Sequence, residues 1–580
     1  MSELVHVKIN GKDYHFPKGT TILEACRQIG IKIPTLCYLK GIAEEGYCGV
    51  CVVEVKGAKT LQRACITEVT EGMEIITNSP IVNEARRTIL ELILAHHEMN
   101  CLTCIKNGNC ELQTLAMQLG IREVPFDKIP SFHRKDETGP IVRDPSKCIF
   151  CRRCVSVCES IQNVNALSVA NRGIRTYIGP PFNSLLVNSP CVYCGQCVIN
   201  CPTGALSERD DTEKVWQALF DPDKYVVVST APAIRASLGE LFGLPAGTFV
   251  RGKIATALKM LGFKKVFDTN FGADLTIVEE ANELIERIRN DGPLPMTTSC
   301  CPAWVKYLEE YYPEFIPNVS TCKSPQQMMG AVIKTYFAEK MGIPKEKIFH
   351  VSVMPCTAKK YEAERPGMNS SGVKDVDVVL TTRELGRMIK QAGIDFVGLE
   401  DSDYDSPLGE YSGAGTIFGA TGGVMEAALR TAYEIFTGKT LESPEFVEVR
   451  GLEGIRVAEV PLNGLNVRVA VAHSLSNASK LLEKVKNGEE KVHFIEVMAC
   501  PGGCIGGGGQ PIPTNDEIRI KRINALYKDD AEKKVRKSHE NPYIQMLYKE
   551  FLGRPGSEKA HLLLHTHYER KSLWTFLEAK

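Results

Sequence analysis

No apolar run in this sequence approaches the roughly 18 residues a membrane-spanning helix needs, so no membrane insertion is expected. Neither sign of charge is in excess. Lys and Arg number 69 against 70 Asp and Glu, a formal net charge of -1, which leaves no basic footprint for nucleic acid and no charged tail. The first residues, MSELVHVKING, lack a positive n-region, an apolar h-region and a twin arginine, and a cytoplasmic protein is expected. Two glycine-rich strings, GAGTIFGATGG at 413–423 and CIGGGGQP at 504–511, lack the G-x-G-x-x-G spacing with a downstream acid on a βαβ unit. No nucleotide site is therefore expected. What the chain does have is cysteine, 22 in 580 residues.

At about 150 residues per domain, this length suggests about four units. Disulfide frameworks belong to small secreted domains, whereas this long chain groups its cysteines in C-x2-C pairs, which favours metal ligation. Zinc also uses such pairs. Runs spaced C-x2-C-x2-C-x3-C match the bacterial two-cluster ferredoxin rule and favour iron-sulfur clusters.

The texture predicts a multidomain chain, α/β plus α+β. Residues 5–16 alternate around Asn10 and Gly11 as a type I′ hairpin, and TTILEACRQIG follows as a threonine-capped helix. This is the start of a β-grasp, ferredoxin-like domain over 1–80. A small helical domain over 81–127 ends in a compact His/Cys group, and a two-cluster ferredoxin-like block covers 138–209. Over 210–525, strand-like runs alternate with helices, an α/β pattern with largely parallel sheets. Two of the runs end in Cys356 and Cys500, and ligands in open α/β sheets lie beyond the carboxyl ends of strands. The polar, cysteine-free segment 526–580 is expected to be a helical extension, an appendage or docking element.

Four cysteine groups precede residue 210. Cys37, Cys48, Cys51 and Cys65, around the glycine-bearing loop EEGYCGVC, suit a 2Fe-2S centre, with structural zinc as the alternative. His97, Cys101, Cys104 and Cys110 place an imidazole beside three thiolates; His96 reads as a plain surface residue. Neutral imidazole in place of thiolate should raise a cluster's potential. Cys148, Cys151 and Cys154 with distant Cys201, and Cys191, Cys194 and Cys197 with distant Cys158, fit two 4Fe-4S centres with crossed fourth ligands. Glu159 follows Cys158 where the pattern usually has proline, and a local backbone difference is expected.

Three strings then carry a resemblance: TSCCPAW at 298–304, MPCTAKK at 354–360 and EVMACPGGCIGGGGQP at 496–511. Together they resemble the signature motifs of the FeFe hydrogenases, and the first two cluster spacings are similar to those shared by hydrogenases and the large iron-sulfur subunit of respiratory complex I. The resemblance implies a large hydrogenase catalytic domain interconverting protons, electrons and hydrogen. It implies that Cys301, Cys356, Cys500 and Cys504 hold the 4Fe-4S part of an H-cluster. Cys504 would also bridge to a two-iron subsite bearing carbonyl, cyanide and an azadithiolate. Lys359 would donate to a cyanide, with Ser324 and Gln326 around it, Ala231 and Pro232 in an early loop, and Met354, Met498 and Phe418 as apolar wall. Alone, the two methionines would read as ordinary core.

The same resemblance assigns proton relay to Cys300, Glu280, Ser320, Glu283 and Arg287. Glu280, Glu283 and Arg287 fall at i, i+3 and i+7 on one helical face, which without the family match would read as a solvated salt-bridge face. Cys26 reads as core, Cys322 has no assigned role, and His561, His565 and His567 read as a surface helix end. The tail is similar to that of catalytic subunits in multimeric, NAD(P)-linked, electron-bifurcating hydrogenases. That implies a flavoprotein NAD(P)H-binding subunit, a small 2Fe-2S subunit, ferredoxin, and maturation proteins as partners. The rival readings are a stand-alone ferredoxin-linked hydrogenase, a cluster-assembly scaffold and a complex I-like electron-transfer subunit.

Overall fold

The computed structural model describes residues 3–462 and 465–573. The chain divides into two compact units, the first drawn from Met1–Ile161, Asn165–Ser189 and Asn200–Ser207, the second from Gln162–Val164, Pro190–Ile199 and Glu208–Lys580.

In the first unit, strands Leu4–Ile9 and Lys12–Pro17 pair antiparallel. Asn10 and Gly11 turn the chain with φ of 50° and 84°, the two positive values a type I′ hairpin requires. Alternation buries Val5, Val7 and Ile9. Helix Ile22–Gln28, whose cap Thr21 accepts from the Glu24 amide, packs Ile22, Leu23, Ala25 and Cys26 into the same core. Strands Met73–Ile76, Val52–Val55 and Gln62–Arg63 complete a five-stranded sheet. Arg86, on helix Pro80–Ala95, donates to the Val52 carbonyl at 2.7 Å and ties that helix to the sheet. A separate hairpin pairs Ser168–Ala170 with Tyr177–Gly179.

The second unit holds two four-stranded sheets. In one, Lys265–Asp268, Tyr225–Thr230, Ile348–Met354 and Val378–Thr381 lie in that order, all parallel. In the other, Met296–Thr297, Phe494–Met498 and Leu465–His473 are parallel and Ile455–Leu462 is antiparallel. Four strands thus run at their carboxyl ends into motif residues: Thr230 into Ala231, Thr297 toward Cys300 and Cys301, Met354 toward Cys356, and Met498 toward Cys500. Helix Thr269–Arg289, capped by Asp268, carries Glu280, Glu283 and Arg287.

The tail is helical as its composition suggests, yet it is not an appendage. Helix Asp516–Glu532 runs straight through residue 525, where the texture changes. Ile544, Leu547, Tyr548, Leu552, Leu563 and Leu564 join one core with Phe271, Leu275 and Met329 of the catalytic unit. Buried Arg430 pairs with Asp530 at 2.8 Å and with Glu426 at 2.7 Å. The buried tail residues are few and interleaved with charges, which is why the segment reads as polar. No helix among the described residues is long and apolar enough to cross a membrane.

Candidate metal centre and proton path

The strand ends of the second unit converge on a cavity with about 700 Å³ of space, part of it open to solvent. Its wall includes Cys300, Cys301, Cys356, Cys500 and Cys504, together with Ala231, Pro232, Gln326, Met354, Lys359, Phe418 and Met498. Twelve of the residues singled out for this pocket thus share it; Ser324 does not. Its hydroxyl donates instead to Glu362 at 2.8 Å, beside a smaller polar cavity lined by Lys323, Glu362 and Arg365. Ser324 is the N-cap of helix Pro325–Val332, and its hydroxyl shares Glu362 Oε2 with Gln326 Nε2 at 3.0 Å and Lys359 Nζ at 2.9 Å, so it stands one residue behind the cavity wall.

Backbone proximity explains the glycines of the last motif. Gly503 has φ of 94°, and a Cβ there would meet the Thr421 amide at 2.6 Å and Met498 Sδ at 2.9 Å. A Cβ on Gly507 would lie 2.2 Å from the Pro355 carbonyl oxygen. Lys359, inside the cavity, donates to the Cys300 carbonyl at 3.0 Å and to Glu362 Oε2 at 2.9 Å. Burial opposes its charge, but Glu362 outweighs it and lifts the ammonium above its ordinary value. The segment carrying Cys191, Cys194 and Cys197 packs onto the same loops. Gln196 donates to the Gly506 carbonyl at 2.9 Å, and the Cys194 carbonyl lies 4.0 Å from Cys500 Sγ.

The first unit gathers three donor sets. Cys51 and Cys65 sulfurs stand 3.3 Å apart, well short of a disulfide, and Cys37 Sγ accepts from the Cys48 amide at 3.5 Å. His97 is buried and its Nδ1 has no hydrogen-bond partner; burial holds the ring below its ordinary pKa and hence neutral. Cys104 and Cys110 stand close enough for charge on one to raise the other, and Cys101 opens the short turn that ends at Cys104. Cys148, Cys151, Cys154 and distant Cys201 line a single cavity with Leu167 and Ile178. Cys158 belongs to the first unit, half-buried beside the Ala166 and Leu167 amides.

Next to the large cavity, burial and then Glu280 push the Cys300 thiol well above its ordinary value. Glu280 is buried, neither oxygen has a hydrogen-bond partner, and burial followed by the like charge of Glu283 pushes it up to about 8. The Ser320 hydroxyl donates to Glu283 Oε2 at 2.8 Å, and Arg287 donates to Glu283 Oε1 at 2.6 Å. A carboxyl whose acidity burial weakens thus adjoins an ion-paired one.

Comparison with known proteins identifies the family and its iron-sulfur domains. Residues 224–508 match the iron only hydrogenase large subunit, C-terminal domain, and 516–571 the iron hydrogenase small subunit. Residues 2–80 match a 2Fe-2S iron-sulfur cluster binding domain, 86–125 the NADH-ubiquinone oxidoreductase-G iron-sulfur binding region, and 147–205 a 4Fe-4S dicluster domain. The chain is 52% identical to NADP-reducing hydrogenase subunit HndD of Solidesulfovibrio fructosivorans over 98% of its own length and 99% of that protein's. It belongs to the FeFe hydrogenases. Iron hydrogenase 1 of Clostridium pasteurianum is 45% identical over 97% of this chain and 99% of its own. A solved FeFe-hydrogenase HydA1 from Chlamydomonas reinhardtii superposes with a TM-score of 0.56 at 45% identity, covering 62% of this chain and 99% of that one.

The residues of this FeFe hydrogenase fit iron-sulfur groups. Cys356 and Cys500 are buried and Cys301 and Cys504 half-buried thiols in one another's field, each raised above its ordinary value first by desolvation. Such a set is unfavourable as neutral thiols or as bare thiolates and becomes favourable when a cation takes the protons' place. The orphaned Nδ1 of His97 is likewise the free nitrogen a neutral imidazole ligand needs.

Sequence reasoning missed a layer behind the relay. His565, expected at a surface helix end, has a side chain only 7% exposed; it shares a hydrogen bond with Thr321 Oγ1 at 2.7 Å through Nδ1 and lies 3.2 Å from Glu279 Oε2 through Nε2. Tyr548 donates to Glu279 Oε1 at 2.5 Å, and Cys322 Sγ lies 3.7 Å from Glu283 Oε2. Glu279 precedes Glu280 and so faces the tail rather than the cavity. Only the neighbouring pair of acids in an otherwise apolar helical stretch hinted at it.

Proposed function

We propose that this hydrogenase catalyses the reversible reaction 2H⁺ + 2e⁻ ⇌ H₂ at an H-cluster held by Cys301, Cys356, Cys500 and Cys504. The observation carrying this reading is the convergence of those four sulfurs, Cys300 and Lys359 on one largely apolar cavity. When bound, the H-cluster supplies the iron at which protons and electrons combine. Met354, Met498, Phe418 and Pro232 keep the cavity dry, which strengthens every charge interaction inside it. Lys359, held by Glu362, offers an N–H donor fixed toward the bound group. Cys300 Sγ holds a proton at the wall, Glu280 replenishes it, and Ser320 and Glu283 link Glu280 to Arg287 nearer solvent.

Electrons would arrive through one 2Fe-2S cluster on Cys37, Cys48, Cys51 and Cys65 and three accessory 4Fe-4S clusters. These rest on His97, Cys101, Cys104 and Cys110; on Cys148, Cys151, Cys154 and Cys201; and on Cys191, Cys194 and Cys197 with Cys158. The chain would act in the cytoplasm within a NAD(P)H- and ferredoxin-linked bifurcating complex. The NADP-reducing name of its full-length relative supports this, and a chain without a nucleotide fingerprint needs a flavoprotein and a small 2Fe-2S subunit for such coupling.

Purifying the anaerobically matured protein from its host tests both levels. Hydrogen evolution from reduced viologen is expected, with a flavoprotein co-purifying. An active lone chain would leave the stand-alone, ferredoxin-linked enzyme; an inactive matured chain would overturn the catalytic reading.

A further inference from the structure

The dicluster part of the first unit carries an exposed surface that nothing above uses. Phe182 is 90% exposed although it is a large apolar residue, and its φ is 57°. A bulky side chain in the left-handed region is a genuine outlier, and such strain persists where the surroundings hold it for a purpose. The surroundings do hold it. The Asn183 amide donates to the Tyr177 hydroxyl at 2.7 Å, and Arg143 donates to Asn183 Oδ1 at 2.8 Å and to the Ile178 carbonyl at 3.3 Å.

Two more segments meet at Tyr177. The His133 ring packs on it with centroids 4.5 Å apart, and His133 Nε2 lies 3.5 Å from the Arg175 carbonyl. They bring Phe132, 58% exposed, and Ile174, 59% exposed, into the same neighbourhood. Arg134 follows Phe132 by two residues and Arg172 and Arg175 flank Ile174 in the chain, all exposed and none in an ion pair among the described residues, while Lys135 pairs with Glu137. Beneath lies the cavity lined by Cys148, Cys151, Cys154 and Cys201: Arg143 and Ile178, which anchor the Phe182 turn, are part of its wall.

We propose that this face is the docking site of a small, acidic, iron-sulfur protein electron carrier. The inference rests on the electron-relay reading above and deepens it by assigning where electrons cross between proteins. An apolar centre ringed by uncompensated arginines is the complement of an apolar spot ringed by carboxylates. The near-neutral chain as a whole would not attract such a partner, but this patch steers it. In each encounter the carrier loses one electron and the cluster on Cys148, Cys151, Cys154 and Cys201 gains one; two encounters and two protons account for one hydrogen molecule.

The test uses the full, matured chain and two reductants, methyl viologen, which needs no docking, and a small acidic two-cubane ferredoxin. In Arg172→Glu/Arg175→Glu and in Phe182→Asn, KM for the ferredoxin is expected to rise at least about tenfold and, for the charge reversal, its salt dependence to flatten. The viologen rate should not change; the charge reversal should keep its melting temperature, and Phe182→Asn, which relieves a left-handed φ that asparagine tolerates, should not lower it. Viologen turnover intact with an unchanged ferredoxin KM overturns the docking site alone. Viologen turnover absent from the unsubstituted chain overturns the relay reading and the docking site with it. A permanent subunit released by Arg172→Glu/Arg175→Glu would show that the face is a fixed interface and also overturns the proposal.

Discussion

The Ser320 hydroxyl donates to Glu283 at 2.8 Å and so joins the loop before helix Pro325–Val332 to the long helix that also carries Glu280. If protons pass along this line, Ser320→Ala breaks it without touching a metal ligand. Turnover with viologen should fall by about 10²-fold or more, the scale of a lost acid-base step. Unchanged iron content would locate the loss in proton transfer.

Glu280 also predicts a pH dependence of stability. Its folded value is raised from 4.5 to about 8, so the native state holds a proton that the unfolded state releases between those limits. Stability from this group is full below the unfolded value and is lost as pH rises through the folded one, by at most about 1.4 kcal/mol per pH unit. Glu280→Gln should therefore flatten the decline in melting temperature between about pH 4.5 and 8. Glu496, raised by burial to about 7, leaves a residual slope.

Much of the catalytic architecture was legible because it is local. Strand runs ending in Cys356 and Cys500 announce sites beyond strand ends, and the hairpin at Asn10–Gly11 lies where its turn residues demand. What stayed hidden depends on contacts far apart in sequence. Nothing near His565 says that Glu279, 286 residues earlier, will meet its Nε2, and nothing near Ser324 says that its hydroxyl prefers Glu362. The tail's few buried leucines are diluted by surface charge, so composition suggested an extension where packing makes a core.

That core role has a measurable consequence. Leu547→Ala, at a fully buried tail position, should cost about 2–5 kcal/mol. Asp530→Ala leaves Arg430 buried with Glu426 alone and should destabilise by about 3–5 kcal/mol. Denaturant unfolding of the catalytic transition checks both; changes within experimental error would return the tail to the status of an appendage.

His97 offers a separate check on the wire. Replacing it with alanine should remove one cluster, lowering iron by about four per chain under the four-iron assignment, while viologen-driven hydrogen evolution persists if electrons reach the remaining clusters. Iron analysis with electron paramagnetic resonance of the reduced protein distinguishes loss of one signal from general collapse.

The central claim is that four thiolates at the ends of strands from two sheets hold a hydrogen-converting cluster. Infrared spectra of the anaerobically matured chain and of Cys504→Ala, recorded beside their viologen activity, test it most directly. Bands of iron-bound carbonyl and cyanide with hydrogen evolution are expected in the native chain, and loss of both in the variant. A native chain with neither after verified maturation, or a variant retaining both, would contradict it.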